Sequence, residues 1–387
     1  NFDLLILYLE SAFLPRFLAP NKLNAGDKEI FSKYTGHTLH AISTLSDEVK
    51  EIRCLSTEKL SFSKWVYPRN VTHRYSKTNA KNLKFRNIAN YISFIRLAKQ
   101  EIKTYQPNVI LIYDGVALGL LAFILRDVKK VKFKWYHNHD LFDKKYIKKF
   151  SITNVLSILE KSVLVKFDLL TVPSKERIPY YNFFKGEKQI LPNYPMLSDV
   201  KPRYINERKQ RFDIIYQGRI SSDHGIEELL QFLSNNKSYF LYVKLVGFIK
   251  LEYKEQLIEL INDLNLKSQV EIIENVPYES LKAITEMCHI GWAVNKPTSL
   301  MYATGGSSSN KIYEYMSCGL PTIYFKAKTY QDSLGSSNWA VSTDLLDSSL
   351  KICFDTIIQN YNSMRNDAAQ DFKTKFNYQN VIKNIIN

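Results

Sequence analysis

Short apolar runs alternate with longer stretches of helical spacing along most of this chain. Residues 4–9 predict a first strand, and the turn at Asn24-Ala25-Gly26-Asp27 precedes a short helix to about Lys33. Alternating character over 36–42 predicts a second strand. Leu83, Ile88, Ile92, Ile95, Leu97 and Ile102 recur at helical spacing and predict a helix over 82–104. Residues 109–113 are almost continuously apolar, as expected of a parallel strand covered on both faces. A helix over 117–126, a strand over 131–137, a helix over 152–166 and a strand over 169–172 follow. The alternation restarts after the prolines of Pro192-Asn193-Tyr194-Pro195 and the polar run 202–210. Strands are predicted at 212–216, 241–246, 270–273, 290–294 and 322–325, with helices at 226–233, 253–264 and 278–287. A last helix is expected over 368–387. Strand–helix alternation in both halves predicts two Rossmann-like, doubly wound α/β domains facing a central cleft, with ligands at the carboxyl ends of the strands.

The chain has 387 residues, a length for two domains. The expected organisation is an N-terminal domain over 1–195, a linker over 196–210, a C-terminal domain over 211–366, and a terminal helix over 367–387 packing back on the first. No apolar run reaches the roughly 18–20 residues that cross a bilayer. Residues 4–14 include Glu10 and lack a basic flank, which makes a poor signal peptide. Cys54, Cys288, Cys318 and Cys353 are widely spaced without a CxxC pair. That spacing argues against a zinc site or a disulfide scaffold and fits a reducing cytoplasm.

The segment from Thr304 to Pro321 carries the most chemistry. Gly305, Gly306 and the serines after them form a small-residue loop that feeds a helix capped by Ser309 or Asn310 and stopped at Gly319 and Pro321. Helix starts present unpaired N–H groups and favour phosphate, and Lys311 adds a full charge there. Glu314 lies one turn on, where it can accept hydrogen bonds from hydroxyls. Phosphate donors beside a carboxylate suit a nucleotide sugar, although an ordinary capped helix fits the same pattern. In Tyr216-Gln217-Gly218-Arg219, Gly218 permits close backbone approach and Arg219 can clamp a phosphate bidentately. His137 and His139 flank a strand end. Without a nearby third ligand they make no metal site, and no GxGxxG, P-loop, HExxH or GxSxG motif is present.

Asn310-Lys311-Ile312-Tyr313-Glu314-Tyr315-Met316-Ser317-Cys318-Gly319-Leu320-Pro321 resembles the donor-site helix of retaining family 4 glycosyltransferases of the GT-B fold. The resemblance implies that Glu314 binds the ribose of a nucleotide sugar and that the preceding loop wraps the diphosphate and sugar. The family places a second Glu eight residues earlier, where this chain has Gly306. Gly218-Arg219 resembles the family's Gly-Arg pair, followed five positions later by a Lys; here that position is His224. Both basic side chains hold the diphosphate in the family. His139-Asp140 resembles a His-acid pair beside the donor sugar, with His137 as rival. Gly26 occupies the place of a glycine-rich turn after the first strand, and Val246-Gly247 and Asn275-Val276-Pro277 match turns of the nucleotide pocket.

The resemblance implies a glycosyltransferase that moves a hexosyl-type sugar from a nucleoside diphosphate sugar to a glycan or glycolipid acceptor, with retention and with no metal or other cofactor. His139 and Arg219 are the expected catalytic residues. A noncatalytic binding subunit of a glycan-assembly complex is the alternative, suggested by Gly306 and His224. The net charge of +15 is concentrated in the N-terminal half, with one run of basic residues from Arg69 to Lys103 and a second at Lys144, Lys145, Lys148 and Lys149. Beside Tyr146, Ile147, Phe150 and Ile152, this charge fits an anionic membrane surface. No nucleic-acid module accompanies it. The expected location is cytoplasmic, peripheral on the inner face of the membrane, with the acceptor a lipid-linked glycan or lipopolysaccharide intermediate.

Overall fold

A computed structural model describes residues 2–10, 36–56, 68–75, 83–113, 115–139, 141, 152–200, 211–274, 276 and 278–386. Gly26, Asp140, the lysines at 144–149 and the run 201–210 lie outside the described residues. The chain divides into two compact units: Asn1–Pro192 with Val381–Asn387, and Asn193–Asn380.

The first unit is built on seven parallel strands in the order β3-β2-β1-β4-β5-β6-β7. They are β1 (Phe2–Glu10), β2 (Val49–Ser56), β3 (Val71–Tyr75), β4 (Val109–Ile112), β5 (Phe133–His137), β6 (Leu169–Val172) and β7 (Glu187–Ile190). The helices are α1 (Gly36–Glu48), α2 (Leu83–Tyr105), α3 (Gly115–Leu120), α4 (Leu125–Val128) and α5 (Ile152–Leu164). Central β4 is buried along its whole length, which is why it reads as a continuous apolar run, whereas the equally buried β6 carries Thr171.

Two expectations are corrected here, and strands β2 and β3 appear where none was expected. Residues 36–42 belong to helix α1 rather than to a strand. The apparent alternation gives way to helical geometry, with Ile42, Leu45 and Ser46 buried three and four residues apart. The helix expected over 117–126 is three pieces, because a 3-10 turn at Leu121–Ile124 separates α3 from α4. β2 and β3, which the apolar pattern does not reveal, each pair an arginine with α2. Buried Glu101 of α2 takes Arg53 at 2.9 Å and Arg74 at 2.5 Å, so charged residues occupy paired strands.

The second unit has six parallel strands in the order β10-β9-β8-β11-β12-β13. They are β8 (Phe212–Gln217), β9 (Leu241–Val246), β10 (Val270–Ile273), β11 (Ile290–Ala293), β12 (Thr322–Phe325) and β13 (Ala340–Thr343). The helices are α6 (Ile226–Asn235), α7 (Leu251–Asp263), α8 (Tyr278–Glu286), α9 (Leu300–Ala303), α10 (Asn310–Ser317), α11 (Lys328–Leu334), α12 (Asp347–Thr374) and α13 (Tyr378–Ile386). The order reverses between β8 and β11, the switch point at which doubly wound sheets bind ligands. The expected terminal helix is two helices, α12 and α13. The end of α13 groups with the first unit, where Lys383 lies 3.7 Å from Glu48. Among the described residues no helix is long and apolar enough to cross a membrane.

Candidate functional site

In the second unit, β8 ends at Gln217 and the chain turns through Gly218 and Arg219. Gly218 has φ +117°, and a Cβ there would meet nothing within 4 Å. Gly247, after β9, has φ +143°, and its Cβ would lie 1.9 Å from the Gly218 carbonyl oxygen. The two turns therefore pack backbone on backbone, and one of them faces open space. Arg219 is exposed beside that space. Val276, after β10, is half-buried.

The small-residue loop is held from below. Asn193 N–H donates to Ser307 O at 3.2 Å, and Asn193 Nδ2 donates to Ser308 O at 2.8 Å. A Cβ at Gly305 would lie 2.0 Å from Tyr330 Oη, so the loop sits directly against that ring. Gly306 opens a 3-10 turn to Ser308. Ser309 occupies the N-cap of α10 in an extended conformation, but its side chain makes no capping hydrogen bond, and α10 begins at Asn310. This corrects the capping expectation: the Ser309 hydroxyl does not satisfy the first-turn N–H groups. The helix stops at Gly319, φ +70°, with Leu320 N–H donating to Tyr315 O.

Lys311 reaches inward from the first turn of α10. Its Nζ donates to Tyr216 Oη and to Asn295 Oδ1, each at 3.1 Å, and lies 4.5 Å from the centroid of the Tyr216 ring. Burial lowers its pKa from the usual lysine value to about 7, with Glu314 pulling it upward. One turn on, the Glu314 carboxylate accepts from Gln217 Nε2. Cation and carboxylate thus stand on one short helix at the carboxyl end of β8.

His224 is buried against the same Tyr216 ring, 5.0 Å between centroids. Its Nδ1 faces Val294 O at 3.3 Å, and its Nε2 faces Tyr302 Oη at 3.5 Å. The carbonyl can only accept, so Nδ1 carries the proton and Nε2 accepts from the tyrosine. Burial and the nearby Lys311 charge hold its pKa down to about 2. His224 is therefore neutral, with both ring nitrogens turned to protein groups.

In the first unit, β5 ends at His137, which is buried with Nδ1 2.9 Å from Thr171 Oγ1 on β6. Trp135 Nε1 donates to the same oxygen at 2.8 Å. Burial, then the neighbouring His139 and Arg177, push the His137 pKa well below the histidine range. His139 lies beyond the strand end and is half-buried; its carbonyl accepts from Arg177 Nη1 at 2.6 Å. The two histidines thus stand in different settings, one locked into the sheet and one on the loop. Among the described residues no group of three or more His, Cys, Asp or Glu side chains is arranged to hold a metal ion.

Sequence reasoning missed Gln217, Asn295, Thr285 and Asn193. A polar residue ending an apolar strand was the available signal for Gln217. Asn193 sits in a turn that reads as a domain boundary.

Residues 199–344 match the family described as glycosyl transferases group 1. That stretch lies within the second unit and contains Gly218, Arg219, His224, Gly247, Val276 and the whole loop and helix to Glu314. No curated protein matches the chain. A solved glycosyltransferase from Rickettsia africae ESF-5 aligns with TM-score 0.65 and 15% identity, over 100% of this chain and 98% of that one. Anabaena Alr3699/HepE in complex with UDP and glucose aligns with TM-score 0.63 and 14% identity, over 99% and 98%. WaaG, a glycosyltransferase involved in lipopolysaccharide biosynthesis, aligns with TM-score 0.60 and 11% identity, over 99% of both chains. At these identities the likeness is one of fold, and that fold is GT-B: two Rossmann-like α/β units.

Proposed function

We propose that the protein is a retaining family 4 glycosyltransferase that moves a sugar from a nucleoside diphosphate sugar to a hydroxyl of a glycan or glycolipid acceptor, without a metal ion. The observation that carries this reading is the pairing on α10 of an inward lysine amine with a carboxylate one turn later, inside a stretch that matches a glycosyltransferase family. Glu314 would take the ribose hydroxyls. Lys311, Arg219 and the N–H groups at the start of α10 would face the diphosphate. As the bond from the anomeric carbon to the phosphate oxygen breaks, negative charge grows on the leaving group, and these positive groups are already in place to meet it. The acceptor oxygen then forms the new bond on the same face, and its proton passes to the departing phosphate oxygen.

His139 is assigned to the donor sugar, because it stands on the loop while His137 is tied to Thr171. Gly218 leaves room for the diphosphate. Gly306 stands where a carboxylate is otherwise expected, so the loop backbone holds the donor sugar. His224, neutral and enclosed, forms a wall of the site. The HepE complex with UDP and glucose supports a donor of this class.

The first unit supplies a reading of the acceptor. Along α5, Val155 and Ile158 are 55% and 64% exposed, and Val165 beyond the helix end is exposed on the same stripe. The 3-10 turn at Leu121–Ile124 packs on α5 and exposes Phe123. Lys161 and Lys166 are exposed beside the stripe, whereas Glu160 is engaged by the Tyr136 hydroxyl at 2.9 Å. Apolar side chains with a basic margin fit an anionic lipid surface, which would bring the enzyme to a lipid-linked acceptor at the inner face of the cytoplasmic membrane.

The test is thermal stabilisation by UDP, GDP, ADP, CDP and their sugar conjugates, with a chelator present. One nucleotide is expected to raise Tm selectively, and Glu314→Ala is expected to abolish that shift while the variant stays folded. Absence of any shift in the wild-type protein overturns the donor reading. Donor binding without transfer to any glycan or glycolipid acceptor would favour a noncatalytic binding subunit.

A further inference from the structure

Gln217 lies between two side chains that fix its amide in one orientation. Its Nε2 donates to Glu314 Oε2, and its Oε1 lies 2.9 Å from Thr285 Oγ1 on α8. The order cannot be reversed, because an ionised carboxylate only accepts and the threonine hydroxyl has a hydrogen to give. Thr285 Oγ1 also lies 2.9 Å from Leu281 O, so its one hydrogen is shared between two acceptors. The backbone of Gln217 is fixed as well: its N–H donates to Tyr315 Oη at 2.8 Å, one residue past Glu314. Gln217 and Thr285 are 2% and 1% exposed. Neither meets solvent, and the chain from Thr285 through Gln217 ends on the Glu314 carboxylate.

We propose that Gln217, backed by Thr285, is a positioning residue that aims the Glu314 carboxylate at the ribose hydroxyls of the donor. The proposal rests on the reading of Glu314 as the ribose ligand. The terminal torsion of a glutamate is soft, so an unrestrained carboxylate samples many orientations. A hydrogen bond from a buried amide to one of its oxygens sets the plane of the group, and a preset acceptor loses less entropy when it binds. The amide is a better restraint than a lysine would be, because it holds the carboxylate without neutralising the charge that the ribose hydroxyls are to meet.

The experiment compares a nucleoside diphosphate with its 2′-deoxy and 3′-deoxy forms by titration calorimetry, in wild type and in Gln217→Met, which keeps chain length and removes the donor. Wild type is expected to prefer the ribo form. In Gln217→Met the ribo form is expected to weaken about tenfold or more, while the deoxy forms change little, so that discrimination collapses. A merely structural role would weaken all three alike, and an unchanged ribo-to-deoxy ratio overturns the proposal. Should Gln217→Met fail to fold, Thr285→Val carries the same test, with a smaller loss of discrimination expected. Wild-type protein that binds no nucleoside diphosphate refutes the donor reading and this proposal with it. Wild-type protein that binds one while ignoring the ribose hydroxyls refutes only the role of Glu314 and its support.

Discussion

Lys311 brings its amine to a place where both hydrogen-bond partners, Tyr216 Oη and Asn295 Oδ1, are neutral. Its pKa is about 7 in the folded chain, against 10.5 for an ordinary lysine. Between those values the unfolded chain holds a proton that the folded chain lacks, so this residue makes stability rise with pH from about 7 to 10.5 and fall toward neutrality. On the proposed donor reading, a bound diphosphate supplies the missing opposite charge and should restore the proton. Calorimetry with the donor sugar at pH 8.5 in buffers of different ionisation enthalpy is therefore expected to show proton uptake, about one per site, fading toward pH 6. Lys311→Met should bind more weakly and take up none; uptake undiminished in that variant would remove Lys311 from the diphosphate site. Lys311 and Glu314 could be picked out in the sequence because they are three apart on one helix. Gln217, Thr285 and Asn295 could not, because what they do depends on partners brought together by the fold from distant parts of the chain.

At the scale of elements, the two turns after β8 and β9 make different demands on two glycines with positive φ. A methyl group at Gly247 would meet the Gly218 carbonyl oxygen at 1.9 Å, which backbone cannot yield cheaply. Gly247→Ala is expected to cost at least about 2 kcal/mol, read as a lower urea midpoint at unchanged slope. Gly218→Ala adds a methyl group that meets nothing within 4 Å. Its stability loss should be smaller, about 1 kcal/mol of backbone strain, and its loss of donor affinity larger. Equal stability losses, or full donor affinity in Gly218→Ala, would contradict the reading of Gly218 as the side open to ligand. The buried central strand β4 was legible because a parallel strand covered on both faces is apolar throughout. β2 was not, because Arg53 is compensated by Glu101 from α2, a pairing that local alternation cannot register. Helix α1 was misread for a related reason: a window of seven residues fits both periods, and only the continuation to Leu45, before the chain enters β2 at Val49, separates them.

At the scale of the whole molecule, alternation of strands and helices in both halves was enough to specify two doubly wound units, and the switch point of the second falls beside the loop and helix that carry Lys311 and Glu314. Surface function was harder to read, because exposure depends on which side of a helix the fold leaves bare. On α5, Leu156 and Val163 face the core while Val155 and Ile158 face outward. The helix is apolar on more than the face it needs for packing, and Lys161 and Lys166 flank the surplus. An outer face of this kind loses less by meeting lipid than by staying in water, at roughly 25 cal/mol for each Å² covered. The lysines add attraction that salt screens. The protein is expected to sediment with vesicles containing phosphatidylglycerol and not with pure phosphatidylcholine, and to be released as salt rises. Ile158→Asp paired with Val155→Asp should weaken that binding at least about tenfold, since it removes buried apolar area and puts like charge against the lipid. The nucleotide-induced rise in Tm should be unchanged, because those positions lie in the other unit. Equal binding to neutral vesicles, or a variant that sediments like wild type, would take the membrane contact away from α5 and leave the basic charge of the N-terminal half to be explained by another anionic partner.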